Sequence, residues 1–346
     1  MHTKMFRKSF LSLLAGACAL TGLSAATASA EEVNVYSYRQ EILIRPLLDR
    51  FTAQTGIDVN LVNGKADVLL ERLKSEGMNS PADILLTADV GRLIRAQKAD
   101  VLQPVSSDTL SSLIPTKYRD PEGNWFGLSL RSRVIFAAKD RVKEGEIKTY
   151  EDLTDPKWKG RICIRSSTNV YNQSLLGAMI AHKGAEEAAK WAEGIVANLA
   201  RKPQGGDRDQ IKAVASGQCD VAIGNTYYLG KMLAGSDEKQ KEAASKVFVV
   251  WPNQDGRGSH VNISGAGVTK SAKHKEAAIK LIEFLASDEA QKVYTEEVFE
   301  YPLRDGIEVS ETVASWGKFK ADDIELAKIA EHQAEAVRIF DKAGWR

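Results

Sequence analysis

Two long extended runs constrain this chain most. Residues 125–138 (WFGLSLRSRVIFAA) and 247–268 (VFVVWPNQDGRGSHVNISGAGV) read as β-type segments with no helix beside them. Everywhere else short apolar strands alternate with segments of helical period, the signature of an α/β fold with mostly parallel sheets. Residues 33–37, 57–62 and 83–87 read as strands. Residues 42–55, 67–76 and 90–98 read as the helices between them, with Gly56 and Gly77 as stops. A second block holds strands at 161–165 and 220–224, with helices from about 172, at 186–200 and at 207–216. Helices at 274–286 and near 323–340 follow. The two extended runs bracket the second block, as strands crossing between two lobes would. The expected architecture is therefore α/β, two-lobed, with two strand crossovers and an interlobe cleft. The N-lobe is expected at 31–130 plus 255–305, and the C-lobe at 131–254 plus 306–346. Ligands of open α/β sheets bind beyond the carboxyl ends of strands, and two facing lobes can close by a hinge.

The first 30 residues need separate treatment. His2, Lys4, Arg7 and Lys8 make a positive start, 10–23 is mostly apolar, and Ala28-Ser29-Ala30 supplies small residues for cleavage. This is the pattern of a secretory signal peptide ending at Ala30; its apolar part is too short to span a bilayer. Lys+Arg (47) and Asp+Glu (46) nearly cancel across the 346 residues. That balance argues against a polybasic nucleic-acid binder and an acidic disordered chain. An exported, periplasmic and monomeric protein is expected. Cys18 falls in the leader, so Cys163 and Cys219 remain as a candidate disulfide in an oxidising compartment.

Three tyrosines carry the chemistry. Tyr227 and Tyr228 follow the 220–224 strand, and Tyr171 follows the 161–165 strand. Each group lies eight residues past a cysteine, so cysteines on neighbouring strands would bring the phenols together. A phenol has pKa ~10 and ionises at neutral pH only beside a strong cation such as a bound metal. Phenolate is a hard anionic donor that suits a trivalent ion such as Fe(III). No His/Cys spacing suits zinc, and no DxDxDG loop suits calcium. His182 and His274 are expected to be solvated, and His260, in GRGSHVN, is left open. Tyr150, in TYEDL at a predicted helix start, is expected to be an ordinary tyrosine.

The segments VYSYRQ, KSEGMNSPADILLTAD, TYEDLTDPKWKGR, VYNQSLL, GNTYYLGK and PNQDGRGSHVNISG resemble those of bacterial periplasmic ferric-ion-binding proteins, the substrate-binding components of iron(III) ABC importers. The resemblance covers nearly the whole chain after residue 30. It implies the two-lobed fold, Tyr171, Tyr227 and Tyr228 as ligands of Fe3+, and an inner-membrane permease as partner. Some relatives carry two further ligands, His-Tyr, where this chain has Gln40-Glu41. Its YSYRQ segment resembles members that complete the shell with carbonate or a similar anion. Arg131 then falls at a cleft arginine able to hold that anion at two points. Tyr38 and Gln40 are further candidates for the anion, Tyr38 or Glu41 for the metal, and Lys231 for nearby positive charge.

Two other functions remain. One is a tyrosine cage for an organic cation, thiamine or a polyamine, held by cation–π contact. A carboxylate-rich cleft would favour it, and only Asp220 lies near the tyrosine segments in sequence. The other is an exported enzyme, for which no G-x-S-x-G, HExxH or P-loop is present.

Overall fold

A computed structural model describes residues 31–346; the predicted leader lies outside the described residues. The chain runs β1 (Glu32–Ser37), α1 (Glu41–Thr55), β2 (Asp58–Asn63), α2 (Ala66–Glu76), β3 (Ile84–Ala88), α3 (Val90–Lys98), α4 (Asp108–Leu113) and β4 (Phe126–Ala138). It continues with β5 (Ile162–Cys163), α5 (Val170–Ala197), α6 (Asp207–Ala215), β6 (Val221–Asn225), α7 (Thr226–Ala234), α8 (Glu238–Ser245), β7 (Val247–Val250) and β8 (Val261–Val268). Helices α9 (Lys275–Ala286), α10 (Asp288–Val293), α11 (Glu311–Ala314), α12 (Leu326–Glu331) and α13 (Gln333–Ala343) complete it. Among the described residues no helix is long and apolar enough to cross a membrane.

The strands form one path, β2-β1-β3-β8-β4-β6-β5, with β7 beside β4. Strand β4 is the pivot. Its first half, through Ser132, pairs antiparallel with β8; from Arg133 onward it pairs with β6, and from Ile135 with β7. β4 thus leaves one group of strands and joins another without breaking. Its alternating side chains sort accordingly: Val134 and Phe136 join the larger apolar core, while Ile135 and Ala137 join a second core with Trp158, Trp191 and Trp345. The α/β fold with two strand crossovers is as expected.

Several boundaries moved for identifiable reasons. The 247–268 run is two strands, because Asn253 (φ 61°) and Gly258 (φ 93°) turn the chain between β7 and β8. A Cβ at Gly258 would lie 2.7 Å from backbone atoms of Ala321, so only glycine fits that approach. The helices expected from 172 and at 186–200 are one element, α5, broken at Gly184 (φ 83°). The C-terminal helix is two, α12 and α13, and the 161–165 strand shortens to Ile162–Cys163. Cys163 and Cys219 form a disulfide with Cα atoms 5.8 Å apart, tying β5 to the residues entering β6. His182 and His274 are not free in solvent: His182 bonds Asp322 and His274 bonds the buried Asp83.

Candidate functional site

Two helix beginnings build one wall of the site. Asn169 caps α5, its side chain accepting the Tyr171 N–H at 3.1 Å, which fixes Tyr171 in the first turn. β6 passes into α7 with no loop, so Tyr227 and Tyr228 occupy that helix's first turn. The turn lacks a side-chain cap from Asn225. Instead Asp207, fully buried, accepts the Asn225 N–H at 3.0 Å. Asp207 also pairs with Arg133 (3.3 Å) and Arg165 (3.4 Å), so one carboxylate positions β4, β6 and the segment just past β5.

The three phenols meet. The Tyr227 hydroxyl reaches the Tyr171 hydroxyl at 3.4 Å, and the Tyr227 and Tyr228 rings lie 4.3 Å apart at 34°. All three side chains border a cavity of about 390 Å³. Arg165 borders it from the same wall, and its guanidinium lies 5.6 Å from the Tyr171 ring. Opposite stand Tyr38, Arg39, Gln40, Asn63 and Lys65, from the ends of β1 and β2. Glu300 also borders the cavity. It forms a buried ion pair with Arg39 at 2.9 Å and accepts a hydrogen bond from Ser129.

Burial, then the neighbouring Tyr171 and Tyr228 oxygens, pushes the Tyr227 phenol well above its ordinary value. Burial, then Tyr171, does the same to Tyr228. The Tyr227 and Tyr228 hydroxyls, held out of water, thus keep their protons until a strong cation arrives. Helix N-termini and arginines on the same wall favour the anionic form once it does.

The other expected residues fall at different depths. Arg131 is buried beneath this surface: it donates to the Ser264 hydroxyl at 2.9 Å, faces Asp89 at 3.8 Å, and lies 5.2 Å from the Tyr171 ring. It does not border the large cavity; Arg39 and Arg165 do. Lys231 points elsewhere, donating to the Glu297 carbonyl at 2.9 Å. Glu41 is exposed and pairs with Arg45 rather than facing the cavity. The Tyr38 ring carries the Arg92 guanidinium 3.8 Å above it. Asp220 is engaged by Arg141 and Arg161. Tyr150 is buried, donates to the Arg133 carbonyl and accepts the His260 N–H, so it is a structural residue rather than a neutral one.

Spacing and strand-end position alone do not mark Arg39, Glu300 or Asp207 as site residues. Arg165 follows β5 just as Tyr171 does, so the strand-end rule would have found it. Arg39 lies within the VYSYRQ segment, directly after β1. Glu300 and Asp207 reach the site through tertiary packing and left no spacing signal.

A cavity between two strand-end walls, on a sheet whose central strand crosses over, defines a two-lobed solute-binding protein. The chain belongs to the bacterial extracellular solute-binding protein family, whose profile matches residues 79–326. It is 50% identical over 316 residues to iron uptake protein A1 of Synechocystis sp., covering 91% of this chain and 88% of that one. The major ferric iron-binding protein of Neisseria meningitidis is 29% identical, across 94% of this chain and 96% of its own. Among solved structures, the ferric binding protein of Campylobacter jejuni superposes with a TM-score of 0.88 at 42% identity, covering 91% of this chain and all of that one. A Trichodesmium protein in complex with iron and citrate gives 0.86 at 48% identity, with the same coverage.

Proposed function

We propose that this protein binds ferric iron as cargo in the tyrosine cavity and delivers it to an inner-membrane ABC permease. The carrying observation is the convergence of three buried phenols, from two helix first turns, on one cavity. The names of the relatives, iron uptake and ferric-binding proteins, support the same reading. Tyr171, Tyr227 and Tyr228 supply three phenolates whose charge cancels that of Fe3+, and an anion completes the shell. Carbonate is the anion the sequence suggests, and a carboxylate such as citrate satisfies the same donors. Arg39, Arg165 and Gln40 border the cavity and are the contacts for it, Arg131 acting from beneath through Tyr171. Tyr38 faces the same space from the opposite wall.

The lobes divide at 31–130 plus 255–305 and 131–254 plus 306–346. The change of β4 pairing at Ser132–Arg133 and the packing of α13 on α5 support that division. The protein works outside the cytoplasm, as a monomer, without nucleic acid and without catalysing a reaction. The organic-cation reading is disfavoured because Arg39 and Arg165 place positive charge at the cavity, although Glu300 offsets part of it. Calorimetry with ferric citrate, zinc, thiamine and spermidine tests the choice. Binding of the ferric salt alone is expected; binding of thiamine or spermidine without iron would overturn it.

A further inference from the structure

Three consecutive residues, Phe299, Glu300 and Tyr301, touch three different parts of the frame around the large cavity. Phe299, 5% exposed, packs on Gly230 of α7, the helix whose first turn holds Tyr227 and Tyr228. Glu300 borders the cavity and pairs with Arg39 on the opposite wall. Tyr301 exchanges two backbone hydrogen bonds, each 2.8 Å, with Leu130 of β4, just ahead of the point where that strand changes partners.

The Phe299 contact is close. A Cβ on Gly230 would lie 2.5 Å from Phe299 Cβ, whereas carbon atoms in good contact rest at about 3.5 Å or more. Glycine is a poor residue for a helix interior, and this approach accounts for its place in α7. Phe299 itself sits at φ 62°, a conformation that strains a bulky side chain and persists only where its surroundings hold it. Next to Gly230, the Lys231 ammonium donates to the Glu297 carbonyl at 2.9 Å, tying α7 to the same segment. Helix α5 is seated in a similar way. Three residues past Tyr171, the Ser174 hydroxyl donates to Asp89 at 2.8 Å, and Asp89 has φ 88°. Among the described residues four non-glycines have positive φ, and two of them meet a tyrosine-bearing helix within about one turn of its phenols.

We infer that Phe299 is a positioning residue for Tyr227 and Tyr228: seated on Gly230, it fixes α7 against the Arg39–Glu300 wall. The inference rests on the ferric reading and on the lobe division above, which puts Phe299 in one lobe and α7 in the other. Residues 299–301 are one stretch of chain, so a group that draws in Arg39 and Glu300 carries Phe299 with them, and α7 follows. Anion loading on one wall thereby sets the phenols on the other.

Gly230→Ala tests the contact, since it adds one methyl and leaves every phenol and charge in place. Its strain is relieved when the lobes part. Iron affinity, read by chelator competition, should fall about tenfold or more, the equilibrium equivalent of overpacking by one methyl, and the phenolate-to-iron band should shift. In the iron-free protein, spin labels at Asp49→Cys in α1 and Lys239→Cys in α8, both exposed, report the distance between lobes by pulsed EPR. That distance should lengthen in Gly230→Ala and broaden in Phe299→Leu, whose smaller side chain seats α7 loosely. If Gly230→Ala does not fold, Phe299→Leu decides by the same affinity, band and distance measurements. Wild-type affinity, band and distances in the variant that folds would overturn the inference. Failure of the wild type itself to bind ferric iron would instead overturn the proposed function, and the iron-free distances would still decide whether Phe299 seats α7.

Discussion

The two walls of the large cavity are built differently. The tyrosine wall is buried and tied down: Tyr171, Tyr227 and Tyr228 are 7%, 4% and 9% exposed. A helix cap, the Asp207 hub and the Cys163–Cys219 bridge hold their backbones. The opposite wall is made of strand ends. Gln40, Asn63 and Lys65 are partly or well exposed, and only Arg39 is deeply held, by Glu300. Rigid donors suit an ion of fixed charge and size. Adaptable polar groups suit an anion whose identity can vary. The difference also fits the sequence, since the segment in which this chain departs from the His-Tyr pattern lies on the second wall.

The sharpest test of that contrast removes one oxygen at a time. Tyr171→Phe, Tyr227→Phe and Tyr228→Phe should each lower iron affinity by about a thousandfold or more, roughly 4 kcal/mol. Chelator competition measures it. Tyr118→Phe, buried but outside the cavity, should bind normally. Equal losses from Tyr38→Phe would erase the distinction between the walls.

An effect of comparable energy should appear in stability. Replacing Cys163 and Cys219 by serine opens a loop with a sequence separation of 56. The chain-entropy description puts the loss at about 4 kcal/mol, read from denaturant unfolding. Thiol titration of the unfolded, unreduced protein should find no free thiol. Two free thiols would remove the bridge from the account of the rigid wall.

Smaller effects belong to the adaptable wall. Arg39→Lys keeps the charge facing Glu300 but loses the planar fork, so the bicarbonate or citrate needed for half-maximal loading should rise about tenfold. Exposed Gln40→Ala should change loading by no more than about twofold, the usual scale for a surface substitution. A larger loss at Gln40 than at Arg39 would reverse the reading of which group holds the anion.

The sequence revealed the rigid wall better than the adaptable one. The phenols sit directly after strands, so strand-end position and cysteine spacing found them, and the disulfide came from the same registry. The family resemblance, not the spacing, puts Arg131 in the cleft. β4 is buried along its whole length, and Arg131 lies beneath the Tyr171 ring, facing Ser264 and Asp89. Lys231 lies one turn past Tyr228, but the helix directs it to the Glu297 carbonyl. Periodicity places a residue on an element; it does not say which face that element turns to the cavity. Glu300 and Asp207 arrive from distant segments, and only the packed fold brings them in.

The central claim is that three phenolates hold the ion, and the visible spectrum of the ferric protein followed with pH tests it most directly. Without metal, Tyr227 and Tyr228 have phenol pKa values raised by burial, so they carry protons at neutral pH and must release them to bind. The account predicts a red to orange phenolate-to-iron band that fades as pH falls, with protons released on loading, and that each of the three Phe variants shifts or weakens. A colourless iron-loaded protein, or a band unchanged in all three variants, would contradict it.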